Sequence, residues 1–165
     1  MAMVGLFWIS EESVYVGSPP AADGHGVRLT AEGLEAVGPD GLRAWTWTDL
    51  SSAAVEAAPL RGTPGRRLGM ALDALLTAAS GLGNEPPEMS LRLETADGVE
   101  EVPVYSAAAG GYGPEELALS QILLARFVAG TADPLTLSAW GRQNSGQGTP
   151  KPRMREALLR VWAET

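Results

Sequence analysis

The chain has 165 residues, of which 45% are hydrophobic and 19% charged, a composition long and apolar enough for one packed domain with appendages. Its net charge of −8 argues against a nucleic-acid binder or a protein held to an anionic membrane surface. There is no cysteine and one histidine, so disulfides, thiol nucleophiles and thiolate metal sites are excluded.

The first 58 residues read as short strands and turns. Val4 to Ile9 is apolar and rich in β-formers. No Lys or Arg precedes Arg28, so the start reads as a first strand rather than a basic-headed leader, and no stretch approaches a membrane span. Cytoplasm is the expected location. Residues 13–16 form a second short strand, and the run from Gly17 to Gly26 has no periodicity and reads as a loop. Val27-Arg28-Leu29-Thr30 resumes a strand, and 33–37 alternates apolar with polar. Gly38-Pro39-Asp40-Gly41 is a tight turn, because Pro presets φ and Asp-Gly suits a reversal. Leu42 to Trp47 alternates again and puts Trp45 and Trp47 on one face, as wall or core residues. Residues 53–57 read as an Ala-rich strand.

The period then changes. Leu68, Leu72, Leu75, Leu76 and Ala79 lie on one helical face, which predicts a helix over 64–82. Met89 to Thr95 and Val99 to Tyr105 alternate around Ala96-Asp97-Gly98 and predict a hairpin, with Pro103 marking its second strand as an edge or a bulge. Gly110 to Gly113 is a linker. Pro114 opens a broad apolar helix ending at Gly130, with Glu115 and Glu116 in its first turn. Leu135, Leu137 and Trp140 remain apolar, and 141–150 reads as a polar, mobile run. The last helix, 152–163, has Met154, Ala157, Leu158, Val161 and Trp162 on one side and Arg153, Arg155, Glu156 and Arg160 on the other.

Charge follows the same division. Residues 1–60 carry eight acids against Arg28 and Arg43, whereas 121–165 carry six bases against three acids. The tail reads as a solvated helix face, or as a surface for an acidic partner. Arg outnumbers Lys by 11 to 1, a bias of GC-rich bacterial coding.

The order of elements, about six short antiparallel strands, a further hairpin and a broad helix, resembles a bacterial pleckstrin-homology-like domain. The residues that carry the resemblance are Val27-Arg28-Leu29-Thr30-Ala31-Glu32-Gly33-Leu34-Glu35-Ala36-Val37-Gly38 and Arg43-Ala44-Trp45-Thr46-Trp47-Thr48-Asp49-Leu50. The resemblance implies an α+β fold: an antiparallel β-barrel of about seven or eight strands, built of two nearly orthogonal sheets whose open corner a helix plugs. It covers residues 1–130, with the 64–82 helix as an insertion and 131–165 as a C-terminal extension. It also implies a module that holds a peptide or another protein. Lipid-headgroup binding does not carry over, since the early strands hold Glu11, Glu12 and Asp23 against Arg28 alone.

No catalytic constellation stands out. His25 lies in a Gly-flanked loop with no second imidazole, so it reads as a loop residue and not a ligand. There is no GxSxG nucleophile and no Asp-rich calcium loop. Glu100 and Glu101, adjacent on a strand, point to opposite faces and form no acid/base pair. Gly110 to Gly113 lacks the Lys of a phosphate loop, and Pro114 removes one of the N–H groups a phosphate would need. Arg66-Arg67 opens the insertion helix against its dipole. The reading is a non-enzymatic interaction or scaffold module with no cofactor and no metal. Its partner is another protein, or itself as a homo-dimer. Val99, Val102, Val104 and Tyr105 are the candidate contact residues on the hairpin edge, and Leu158, Val161 and Trp162 on the last helix. The alternatives are a homo-oligomer formed through that helix, and a small-ligand barrel or divergent enzyme.

Overall fold

The computed structural model describes residues 1–20, 24–39, 41–61, 87–108 and 110–165, and among these it has nine strands and three helices, an α+β content. Strands β1 (Ala2–Val4), β2 (Phe7–Ile9), β3 (Val14–Val16), β4 (Gly26–Leu29), β5 (Gly33–Gly38) and β6 (Gly41–Thr46) make one antiparallel sheet in chain order. Strands β7 (Leu50–Glu56), β8 (Glu88–Thr95) and β9 (Gly98–Tyr105) make a second. The two are separate sheets, so the closed barrel expected from the sequence is not formed among the described residues. The 64–82 helix, with Arg66 and Arg67, lies outside them.

Register explains the core. Ala2, Ile9, Val14, Leu29, Leu34 and Trp45 stand side by side across all six strands, and every one is buried. The next row, Met3, Trp8, Tyr15, Arg28, Glu35 and Ala44, lies on the other face. In the second sheet, Val55, Leu91 and Val102 form one buried row, and Met89 and Val104 another. The Ala-rich stretch is a strand because Ala53 and Val55 face inward while Ala54 and Glu56 face water.

The first strand departs from expectation. Residues 4–9 are not one strand but the two arms of a hairpin, β1 and β2, turning at Gly5-Leu6. Gly5 takes φ +59, and a Cβ there would lie 2.0 Å from Ser120 Oγ. The turn is therefore set by close approach to a helix far along the chain, which local β-propensity does not report.

Three helices follow, α1 (Pro114–Ala129), α2 (Leu135–Gln143) and α3 (Pro152–Glu164). α1 starts at Pro114 and ends on Gly130 in the left-handed conformation (φ 74), as its sequence signals require. It buries Leu119, Leu123, Leu124 and Phe127, and Phe127 meets Phe7 edge-on and Trp47 at 5.8 Å. The expected structureless run over 141–150 begins only after Gln143, because 141–143 close α2 and Gly141 packs against Ile9 and Ser10.

α3 docks on α1, but on a face rotated from the expected one. Its buried residues are Arg155, Leu159 and Ala163, while Met154 and Val161 are 56% and 60% exposed and Leu158 and Trp162 are half-buried. The cause is a charge. Glu116, buried on α1, accepts from Arg155 Nε at 2.5 Å, from Arg155 Nη2 at 3.2 Å and from the Gly5 N–H at 3.1 Å. A second arm of Arg155 donates to Pro150 O at 2.7 Å. One residue is about 100° of helix, so seating Arg155 on Glu116 turns part of the apolar stripe toward solvent. Trp140 and Trp162 then close α2 against α3 edge-to-face at 6.0 Å. Among the described residues no helix is long and apolar enough to cross a membrane.

Candidate interaction site

Two open sheets have four edges, and each must be stopped or left available. At β1, Met3 donates its N–H to Thr149 Oγ1 at 3.0 Å. At β7, the Gln121 carboxamide substitutes for a strand: it accepts from Val55 N–H at 3.0 Å and donates to Val55 O at 2.6 Å. The far end of β9 is tied to the first sheet by Ser18 N–H donating to Tyr105 O at 2.8 Å.

What remains is β6 facing the rest of β9. The β4–β5 turn, closed by Thr30 N–H to Gly33 O, fixes which residues of β5 pair with β4, and therefore which residues of β6 pair with β5. Trp45, Arg43 and Gly41 turn their backbone groups to β5, and Leu42, Ala44 and Thr46 turn theirs outward. Thr46 is met locally by Asp49, whose Oδ2 accepts the Thr46 N–H at 3.2 Å. The outward groups of Leu42 and Ala44 line the edge. The same phase argument on the β8–β9 hairpin points Val99, Glu101, Pro103 and Tyr105 away from β8. Pro103 has no N–H to offer, so it fits a strand only with its nitrogen outward, and that is where it sits.

Between these edges runs a groove of about 830 Å³, walled by Arg43, Trp45 and Asp49 on one side and Asp97, Val99 and Glu100 on the other. A hollow of about 160 Å³ continues it past Arg43, bounded by His25, Val37, Pro39, Val102 and Pro103. Glu100 spans the gap. Its carboxylate accepts from Trp45 Nε1 at 2.7 Å and pairs with the Arg43 guanidinium, which lies 4.9 Å over the Trp45 ring. This clamp holds the two edges at a distance without pairing their backbones. The groove carries three carboxylates, Asp49, Asp97 and Glu100, against one guanidinium.

The expected contact residues are placed unequally. Val99 is 53% exposed on the β9 edge, Tyr105 is half-buried, and Val102 and Val104 are core residues at 7% and 1%. A partner at this strand would therefore meet the backbone and Val99, and not the Val102 or Val104 side chains. On α3, Val161 is exposed, while Leu158 and Trp162 are half-buried against this chain's own core. Glu100 turns to the groove and Glu101 to solvent. Nothing in the sequence marks Leu42, Arg43, Asp49 or Asp97 as groove residues. Alternation shows that Arg43 and Trp45 share a face, but not that β9 lies across from them. Among the described residues no three of His, Asp and Glu gather as a metal site.

No protein-family model, curated protein or solved structure matches this chain.

Proposed function

We propose that the chain is a non-enzymatic interaction module, a half-open pleckstrin-homology-like barrel that receives an extended segment of another cytoplasmic protein along the β6–β9 edge. The likeness is supported by β3–β6 followed by β7–β9, four antiparallel strands and then three in chain order. The Ser18–Tyr105 hydrogen bond at one corner and α1 packed against β7 add to it. The observation that carries the reading is the contrast between edges: β1 and β7 are met by side chains along their strands, whereas β6 is met only at its end, by Asp49, and the outward backbone groups of Leu42, Ala44, Val99 and Glu101 face the gap, with Ala44 and Val99 lining its groove. The test is a photo-cross-linking residue placed at Leu42, at Val99 or at Leu135 in living cells. Capture of one and the same polypeptide from Leu42 and Val99, and not from Leu135, supports the reading. Labelling no denser at the edge than at Leu135 overturns it.

A second reading, self-association through α3, is favoured by the exposure of Met154 and Val161 on one side of that helix. Truncation before α3 is the wrong test, since it would strand Glu116 without Arg155. Sedimentation of the full chain beside Met154→Glu/Val161→Glu is the right one. A monomeric mass for the unaltered chain removes this reading.

A further inference from the structure

The groove also constrains the chemistry of its occupant, an argument that rests on the proposed function above. We infer that the β6–β9 edge accepts a segment of about four to six residues in which basic and apolar side chains alternate, the basic ones turned into the groove and the apolar ones turned out.

A strand laid along an edge sends successive side chains to opposite faces. The two faces of this gap differ. Inward, Arg43 and Trp45 of β6 face Glu100 of β9, and the Glu100 carboxylate is already engaged by both. Asp49 and Asp97 add one negative charge on each wall of the groove. An inserted strand therefore meets net negative charge on its inner side, on a chain whose overall charge is also negative. Outward, apolar side chains outnumber the one charge on that face of β9, Glu101. Among the described residues, the large apolar side chains that strands leave exposed are Val37, Leu42 and Val99, at 37%, 61% and 53%. Val37 and Leu42 are direct cross-strand partners, and Val99 lies on the outward face of the facing edge. Leu42 and Val99 flank the gap, with Val37 one strand behind Leu42 and Glu101 beside Val99, so a strand placed there finds mostly apolar neighbours on its outer side. The backbone sets the remaining condition. The partner must supply carbonyls to the N–H groups of Leu42, Ala44, Val99 and Glu101, and N–H groups to their carbonyls, so a proline in the middle of the segment is not tolerated.

The test uses the full chain and three synthetic hexapeptides: alternating Lys-Val, alternating Glu-Val, and the Lys-Val peptide with one central proline. Amide hydrogen exchange is followed at Leu42, Ala44, Val99 and Glu101. The inference expects the Lys-Val peptide alone to slow exchange at these four amides. It expects affinity to fall at least tenfold in Asp49→Asn/Asp97→Asn, which keeps an acceptor for Thr46, and to fall with added salt. Equal binding of the Glu-Val peptide overturns the charge assignment and leaves edge docking standing. Equal binding of the proline peptide overturns strand addition. If the edge amides exchange fast and no peptide slows them, the inference falls while the proposed function survives with another partner chemistry. If they are already slow in the chain alone, or slow only as its own concentration rises, both fall together.

Discussion

Two ion pairs join α1 to α3, and the structure assigns them very different weights. Glu116 and Arg155 have side chains 1% and 6% exposed, whereas Glu115 and Arg160 are 54% and 50% exposed. Replacing Arg155 by Met removes two charge-assisted hydrogen bonds from a buried carboxylate, leaving it only the Gly5 N–H. Breaking a buried pair from one side costs about 3–5 kcal/mol, because the remaining charge is held out of water without compensation. Arg160→Met breaks a solvent-screened pair and costs at most about 1 kcal/mol. At roughly 2–4 °C per kcal/mol for a chain of this size, Arg155→Met lowers Tm by about 6–20 °C and Arg160→Met by no more than about 4 °C. Thermal and urea unfolding, followed by near-UV circular dichroism with its Trp140–Trp162 contribution, measures both. The double variant Glu116→Met/Arg155→Met completes the cycle: it should lie closer to the unaltered chain than Arg155→Met does, since two apolar side chains replace a charge that could not be hydrated. Equal losses for Arg155→Met and Arg160→Met would refute the account of why α3 docks on the face it does.

Three further outcomes follow from particular contacts. Gly5→Ala puts a Cβ at φ +59 and 2.0 Å from Ser120 Oγ, so it should cost at least the roughly 1–2 kcal/mol of a left-handed residue, read as a lower urea midpoint; an unchanged midpoint would mean the β1–β2 turn does not pack on α1. Gln121→Leu strips the cap from β7 and should cost about 1–3 kcal/mol and speed amide exchange at Val55, a site that would stay slow if the carboxamide were not its partner. Burial raises the Tyr112 phenol above its ordinary value of 10.0, so its contribution to stability is complete below that value and is lost as pH rises through the raised one. Tyr112→Phe should therefore flatten the alkaline fall of the urea midpoint, while costing about 1 kcal/mol at neutral pH for the lost acceptor of the Ala107 N–H; parallel alkaline limbs would contradict this.

Elements with a local cause were legible from residue order alone. The β8–β9 hairpin has alternation on both arms and an Ala-Asp turn, and the structure forms it with Thr95 opposite Gly98. The β5–β6 turn and both ends of α1 carry their own backbone chemistry in Pro39, Pro114 and Gly130. What was misread depends on residues far apart in the chain. Gly5 looks like a gap in a strand until Ser120, 115 positions later, is brought against it. Arg155 sits among Arg153 and Arg160 and reads as one more solvated cation, and only a buried Glu116 distinguishes it. Glu116 in turn has an adequate local explanation as an acid in a first helical turn, which hides its second role. The groove was half legible: Pro103 announces an edge, but which strand faces that edge is a tertiary fact.

The open edge has a competing explanation in the same physics. Charges and proline on an edge strand deter aggregation, and Glu101 and Pro103 stand on β9 in those roles. Deterrence alone, however, favours a uniform treatment: side chains of like kind on every edge, with apolar groups kept away from it. This chain does something else. It meets β1 and β7 with specific acceptors and donors, Thr149 and Gln121, and holds β6 away from β9 with a carboxylate clamp. It then places Leu42 and Val99 outward on the two edges that are capped only at one end, β6 by Asp49 and β9 by Ser18. A pure deterrent would be strengthened by replacing those two with Lys or Glu, at little cost to a surface already acidic. Under the proposed function, apolar flanks beside a negatively charged interior are selective, since they repel an acidic strand through its inner side chains and gain nothing from a neutral one there, while a basic alternating strand is favoured on both faces. Under the proposed function, deterrence and recognition are the same arrangement read by two kinds of strand, and the charge of the incoming segment decides between them.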